Sequence, residues 1–101
     1  MCIRDRYYGA QIFYSQNTEE SKILAENIQK EIVTLIQPEN KREIKPASDS
    51  IYLLWNAQVP AVIVECGFLS NDAEAKKLGD STYQNQMAFA IYQGFLDYLQ
   101  T

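Results

Sequence analysis

The chain has 101 residues, with 9 Lys+Arg against 13 Asp+Glu and a formal net charge of -4. That length fits one small domain or a piece of a larger one, and 47% hydrophobic with 22% charged residues is a globular rather than a disordered composition. The acidic balance argues against nucleic acid as the main partner, which requires a basic footprint. With no histidine in the chain, a Ser-His-Asp triad, a Cys-His pair or a histidine-ligated metal site cannot be completed within it. Cys2 and Cys66 are the only cysteines, too few for a four-cysteine zinc cluster. A Cys2–Cys66 bridge is compatible with the count, but Cys66 follows an apolar run, which favours a buried thiol. No apolar stretch approaches the ~20 residues of a spanning helix. The charges at Arg4, Asp5 and Arg6 are not followed by the apolar core of a signal peptide, so either the protein acts in the cytoplasm or its export signal lies outside this chain.

In chain order, residues 9–14 read as a strand, β-branched and aromatic toward the end. Asn17 with Glu20 matches a capping box, and Leu24, Ile28, Ile32, Leu35 and Ile36 recur at helical spacing. This predicts one amphipathic helix over about 18–36, ended by Pro38, with Glu26 and Lys30 paired on its outer face. Residues 37–50 read as a polar loop with a local basic cluster at Lys41, Arg42 and Lys45. Residues 51–54 read as a short strand. The unbroken apolar run 61–64 has the signature of a strand buried on both faces, as in sheets covered by helices on each side. Asn71 with Glu74 is a second capping box, opening a short helix that ends at Leu78 before Gly79. Ser81 with Gln84 opens the last helix. Met87, Ala88, Ile91, Phe95 and Tyr98 form its main buried stripe, widened by Phe89, Ala90, Leu96 and Leu99 for packing across a broad sheet face. The order implies an α/β fold of three-layer type with helices on the faces of the sheet. Three strands are few for two long helices, so the sheet reads as incomplete, with its front strands missing.

Glu65 is the outstanding chemical position. A carboxylate at the carboxyl end of a buried strand is costly without a partner, and that end of open α/β sheets is where ligand sites form. Desolvation would raise its pKa toward a general base's range, and a nearby cation would lower it again. The plainer alternative is a structural glutamate capping backbone amides or pairing with Arg or Lys. Gly67 permits a tight backbone after the strand, Phe68 and Leu69 can anchor the loop, and Ser70 and Asn71 start the next helix. Cys66 has no histidine to activate it and reads as a small buried apolar residue. Arg42 and Lys45, with Lys41, are candidates to bind a ligand carboxylate or phosphate, against the plainer reading of a solvated loop.

Residues 59–71, Val-Pro-Ala-Val-Ile-Val-Glu-Cys-Gly-Phe-Leu-Ser-Asn, resemble the signature of the zinc-dependent N-acetylmuramoyl-L-alanine amidases, bacterial peptidoglycan hydrolases. The resemblance extends over about 7–99. Residues 9–15 resemble the strand before the family's long helix, Ser21-Lys22 and Leu24-Ala25 that helix, residues 42–45 and 52–54 the next loop and strand, and 87–92 the closing helix. The spore-cortex and vegetative cell-wall types of Gram-positive bacteria are the most similar. In that family two histidines and a glutamate hold zinc ahead of the strand matched by 9–14, and none of them maps onto this chain. Glu65 aligns with the family's second essential glutamate. Its implied role is general base toward a zinc-bound water and then proton donor to the departing amine, as the bond between the lactyl group of N-acetylmuramic acid and L-alanine is cut.

Residues 1–6 resemble nothing in the family and read as an unrelated start. Residues 7–101 read as the carboxyl-terminal part of an amidase catalytic domain. The resemblance implies zinc in the complete domain, a peptidoglycan or muropeptide substrate, and extracytoplasmic action of the parent protein at the cell wall or in the periplasm. A catalytic zinc site needs about three protein ligands. This chain by itself is therefore expected to be inactive. The alternative function is a non-catalytic relative that binds muropeptides or a regulatory partner.

Overall fold

Ile12 and Tyr14 face one way along an extended segment and Gln11 and Phe13 the other, and this alternation organises the sheet. The computed structural model describes residues 8–67 and 72–101. Strand β1 (Gln11–Tyr14) is central, between β2 (Lys45–Pro46), which runs parallel to it, and β3 (Val62–Glu65), which runs antiparallel. The register sets Gln11 opposite Glu65, Phe13 opposite Ile63, and Phe13 beside Lys45. Four helices complete the described fold: α1 (Glu19–Leu35), α2 (Tyr52–Trp55), α3 (Asp72–Leu78) and α4 (Ser81–Leu99).

The helical spacing of Leu24, Ile28 and Ile32 places all three in the core, with Ala25 beside them. Together with Ala10 and Ile12 of the central chain and Tyr83, Met87 and Ala90 of α4, they make one apolar cluster, against which Tyr14, Val62 and Val64 also pack. Fully burying each large side chain in such a cluster stabilises by about 1.5–3 kcal/mol. Phe13 and Ile63 point to the opposite face and do not join it. The α/β class thus holds, as an open three-stranded mixed sheet with α1 and α4 gathered over one face.

Four elements differ from the sequence expectation. Residues 51–54 give no strand: Tyr52–Trp55 form one helical turn in which only Leu54 is buried. A four-residue apolar run carries no period that separates strand from helix, and Leu favours the helix. The second strand is instead Lys45–Pro46, inside the expected loop, where Ala47 N–H donates to the Tyr14 carbonyl at 2.9 Å. The cap of α1 is Thr18 rather than Asn17. Thr18 Oγ1 accepts from Ser21 N–H, while Asn17 Nδ2 donates to the carbonyls of Trp55 and Ala57, tying down the approach to β3. Helix α4 is capped by Asp80, one residue before the expected Ser81.

The buried stripe of α4 is also shifted. It consists of Tyr83, Met87, Ala90 and Gly94, leaving Ala88, Phe89, Phe95 and Leu99 exposed. The reason is that α4 packs mainly on α1 rather than across the sheet. Gly94 makes the close approach possible: a Cβ there would lie 2.5 Å from Ile28 Cα and 2.9 Å from its backbone nitrogen. Neither atom can swing aside as a side-chain tip can. In an unconstrained helix, Gly→Ala gains about 1 kcal/mol. Here the clash outweighs that gain, and Gly94→Ala is expected to destabilise by about 1–3 kcal/mol, the usual cost of overpacking, seen as a lower denaturant midpoint with an unchanged slope.

Candidate active site

The start of β1 must satisfy its backbone without a long neighbouring strand, and side chains from α3 and from the loop after α1 do so. Gly9 N–H donates to both carboxylate oxygens of Glu74, each at 2.9 Å. Gly9 holds a φ of +86°, and a Cβ there would meet the Asn40 side chain at 2.9 Å, so glycine suits the turn on both counts. Ala10 N–H donates to Gln37 Oε1 at 2.9 Å, and Asn40 Nδ2 donates to the Ala10 carbonyl and to Gln37 Oε1. Gln37 Nε2 donates in turn to Tyr83 Oη at 2.6 Å, and Tyr83 Oη donates to the Cys66 carbonyl at 3.2 Å. Glu74 was read as the third residue of a capping box. It is a buried strand anchor instead, and Asn71, its expected partner, lies outside the described residues with Phe68, Leu69 and Ser70.

Glu65 closes β3 on the sheet face that also carries Gln11, Phe13 and Ile63. The expectation of a buried carboxylate is corrected: β3 is half-buried and Glu65 is exposed, because β3 pairs with β1 alone among the described strands. The desolvation argument for Glu65 therefore has no support.

Arg42 reaches the same end of the sheet. Its Nη1 donates to Gln11 Oε1 at 3.1 Å, its Nε donates to the Tyr8 carbonyl at 2.9 Å, and Gln11 stands directly opposite Glu65. An open cleft of about 240 Å³ lined by Tyr8, Asn40, Lys41 and Arg42 lies beside it. Lys45 is exposed on β2, level with Phe13. The structure thus brings Arg42 to the Glu65 end of the sheet and sets Lys45 further along it, on the far strand.

Cys66 is a free, half-buried thiol, and burial pushes its pKa up. Cys2 lies outside the described residues. Burial likewise raises the Tyr83 phenol, aided by the charges of Glu74, Cys66 and Glu39, while the Gln37 donor partly offsets this. The sequence reading placed Gln37 and Asn40 in a polar loop and Glu74 in a capping box, and singled out none of these, nor Tyr83, as a site residue. Their only linear signal is polar residues beside a helix end. No group of three His, Cys, Asp or Glu able to hold a metal occurs among the described residues, and no described helix is long and apolar enough to cross a membrane.

The family model described as N-acetylmuramoyl-L-alanine amidase matches residues 3–97. The chain is 38% identical over 93 residues to the germination-specific N-acetylmuramoyl-L-alanine amidase of Bacillus subtilis, covering 92% of this chain and 38% of that protein. Among solved structures, the CwlD amidase of Clostridioides difficile, determined in complex with the GerS lipoprotein, superposes with a TM-score of 0.91 at 46% identity, covering 98% of this chain and 50% of that one. AmiC2 of Nostoc punctiforme, an N-acetylmuramoyl-L-alanine amidase, gives 0.84 at 31% identity over 97% of this chain and 51% of that one. The chain belongs to the N-acetylmuramoyl-L-alanine amidase family. It spans about half the length of these solved relatives.

Two measurements check the electrostatics. At about pH 8, below the thiol's ordinary pKa, Cys66 is expected to react with iodoacetamide more slowly than a free cysteine peptide, because the thiolate is the nucleophile and burial disfavours it. For Tyr83, a raised folded-state pKa means that the protonated phenol is favoured by the fold. Its contribution is complete below the ordinary value and lost as pH rises through the folded one. The stability gap between wild type and Tyr83→Phe, from urea midpoints, should hold up to about pH 10 and narrow as pH rises above it.

Proposed function

We propose that this chain is the part of a peptidoglycan amidase that supplies the proton-transferring carboxylate, Glu65, for cleavage of the amide between N-acetylmuramic acid and L-alanine. The observation that carries this reading is the position of Glu65: it closes β3, faces open solvent, and is engaged by no ion pair or side-chain hydrogen bond among the described residues. A structural glutamate of the plainer kind would be capping amides or neutralising a cation, as Glu74 caps Gly9.

Glu65 as a carboxylate accepts a proton from the water that attacks the amide carbonyl. It then returns that proton to the nitrogen as the C–N bond breaks, so that the amine leaves neutral and the lactyl group leaves as a carboxylic acid. Lys41 and Arg42, at the cleft by Tyr8, are proposed to meet an acidic group of the peptide, and Lys45 to extend that cationic edge. In the complete domain, zinc is the proposed resident metal and would polarise the carbonyl. The residues present here do not fit a zinc site, since the chain has no histidine and no three-ligand cluster among its described residues. The metal would have to be held by other polypeptide, and the chain alone is proposed to be inactive. Action is proposed to be extracytoplasmic, where the substrate lies.

The test uses the amidase polypeptide read from coding sequence that includes the region upstream of Met1. Glu65→Gln is expected to lower muropeptide hydrolysis by about 10²–10⁴-fold, the usual contribution of a general acid–base, with muropeptide affinity by isothermal titration retained. Turnover unchanged in Glu65→Gln would reject the reading. The absence of histidine also favours a second possibility, a muropeptide-binding relative without chemistry. This chain would then bind muropeptide equally well with and without zinc, and the longer polypeptide would not hydrolyse it.

A further inference from the structure

Glu65 is exposed, so nothing packed around its own side chain fixes where its carboxylate sits; the backbone on either side must do so. Upstream, β3 is held by its ladder with β1, and Ala61 N–H donates to the buried Ser21 hydroxyl at 2.9 Å. Downstream the ladder ends. The peptide carbonyl of Cys66, the next residue, leaves the sheet and is met by the Tyr83 hydroxyl at 3.2 Å. That hydroxyl is oriented by Gln37, whose Nε2 donates to it at 2.6 Å and uses up its accepting lone pair, leaving its proton for Cys66. Gln37 is itself fixed, since Oε1 accepts from both Ala10 N–H and Asn40 Nδ2. The relay therefore runs from the start of β1, through Gln37 just beyond α1 and Tyr83 of α4, to the Cys66–Gly67 peptide, one residue past Glu65. Tyr83 and Gln37 are 8% and 3% exposed; the bond between them is buried and the one to Cys66 partly so.

We infer that Tyr83 is a positioning residue for Glu65: its hydroxyl, oriented by Gln37, fixes the Cys66 peptide and so sets the direction in which the Glu65 carboxylate is presented. The inference rests on the reading of Glu65 as the proton-transfer group. A buried phenol placed only for packing would serve as well without its hydroxyl; this one bridges the Gln37 amide, itself fixed at the start of β1, and the Cys66 carbonyl.

The experiment has a structural arm and a kinetic arm. In the isotope-labelled 101-residue chain, Tyr83→Phe is expected to move the Cys66 carbonyl-carbon resonance upfield. It should also speed hydrogen exchange of the Glu65 amide about tenfold or more, while the Ile28 and Ile32 amides in α1 keep wild-type protection. In the zinc-loaded amidase polypeptide, the same substitution is expected to lower kcat about 10- to 100-fold with KM unchanged, as for a misplaced reacting group. It should cost nothing further in a Glu65→Gln background, because it acts through Glu65. An unchanged kcat, a uniform loss of protection across α1, or a loss repeated in full in the Glu65→Gln background would each overturn the inference. If Tyr83→Phe does not fold, Gln37→Met, which removes the orienting donor from outside α4, must show the same kcat loss and the same local exchange at Glu65, or the inference fails. Full turnover in Tyr83→Phe with Glu65→Gln inactive rejects only the role of Tyr83, whereas full turnover in Glu65→Gln rejects both readings.

Discussion

The backbone amides of Gly9 and Ala10 lie inside the protein, and an amide removed from water must find an acceptor or cost about 1–3 kcal/mol. No described strand provides one. Glu74 and Gln37 do, from α3 and from the end of α1, and Asn40 and Tyr83 complete the same set of bonds. Much of the arrangement follows from this requirement. The central strand can begin only where these side chains converge, and convergence fixes how α1, α3 and α4 sit around it. The apolar cluster of Ile12, Ile28, Ile32, Met87 and Ala90 supplies most of the favourable energy. It is non-directional, though, and by itself would tolerate sliding of α4 along α1. The polar set and the close contact of Gly94 with Ile28 remove that freedom.

The long helices, β1 and β3 were legible in the sequence because each carries a period or an unbroken apolar run that one structure satisfies best. Leu24, Ile28 and Ile32 can share a face only in a helix. The failures share a different origin. Tyr52–Trp55 is too short to display a period, and β2 is two residues whose pairing depends on β1 being alongside. Asn17 and Glu74 are good capping residues by type, yet tertiary partners took them: carbonyls of the segment before β3 for the first, the Gly9 amide for the second. Local hydrogen-bonding preference is worth about 1 kcal/mol and gives way where tertiary partners recruit the same side chain.

The candidate site was partly legible. The block ending in Glu65-Cys66-Gly67 marked the position, and the family match covers it. The burial of Glu65 was overestimated, because an apolar run was read as a strand covered on both faces, whereas β3 pairs on one side only among the described strands. Arg42 was picked for its charge and loop position. The structure adds that it is bonded to Gln11, the residue opposite Glu65, which no linear spacing between positions 11, 42 and 65 reveals. Tyr83 and Gln37 were invisible as site residues for the same reason: they act on a peptide 17 and 29 positions away in sequence.

On the proposed reading of Glu65, an exposed carboxylate must draw its effectiveness from geometry and from whatever closes over it with substrate, so a rigid support matters most. The ladder to Gln11 on one side and the Tyr83 bond to the Cys66 peptide on the other give Glu65 that support without enclosing it. The bonds proposed to orient the carboxylate lie within the described residues, among which no group of three His, Cys, Asp or Glu could hold a metal.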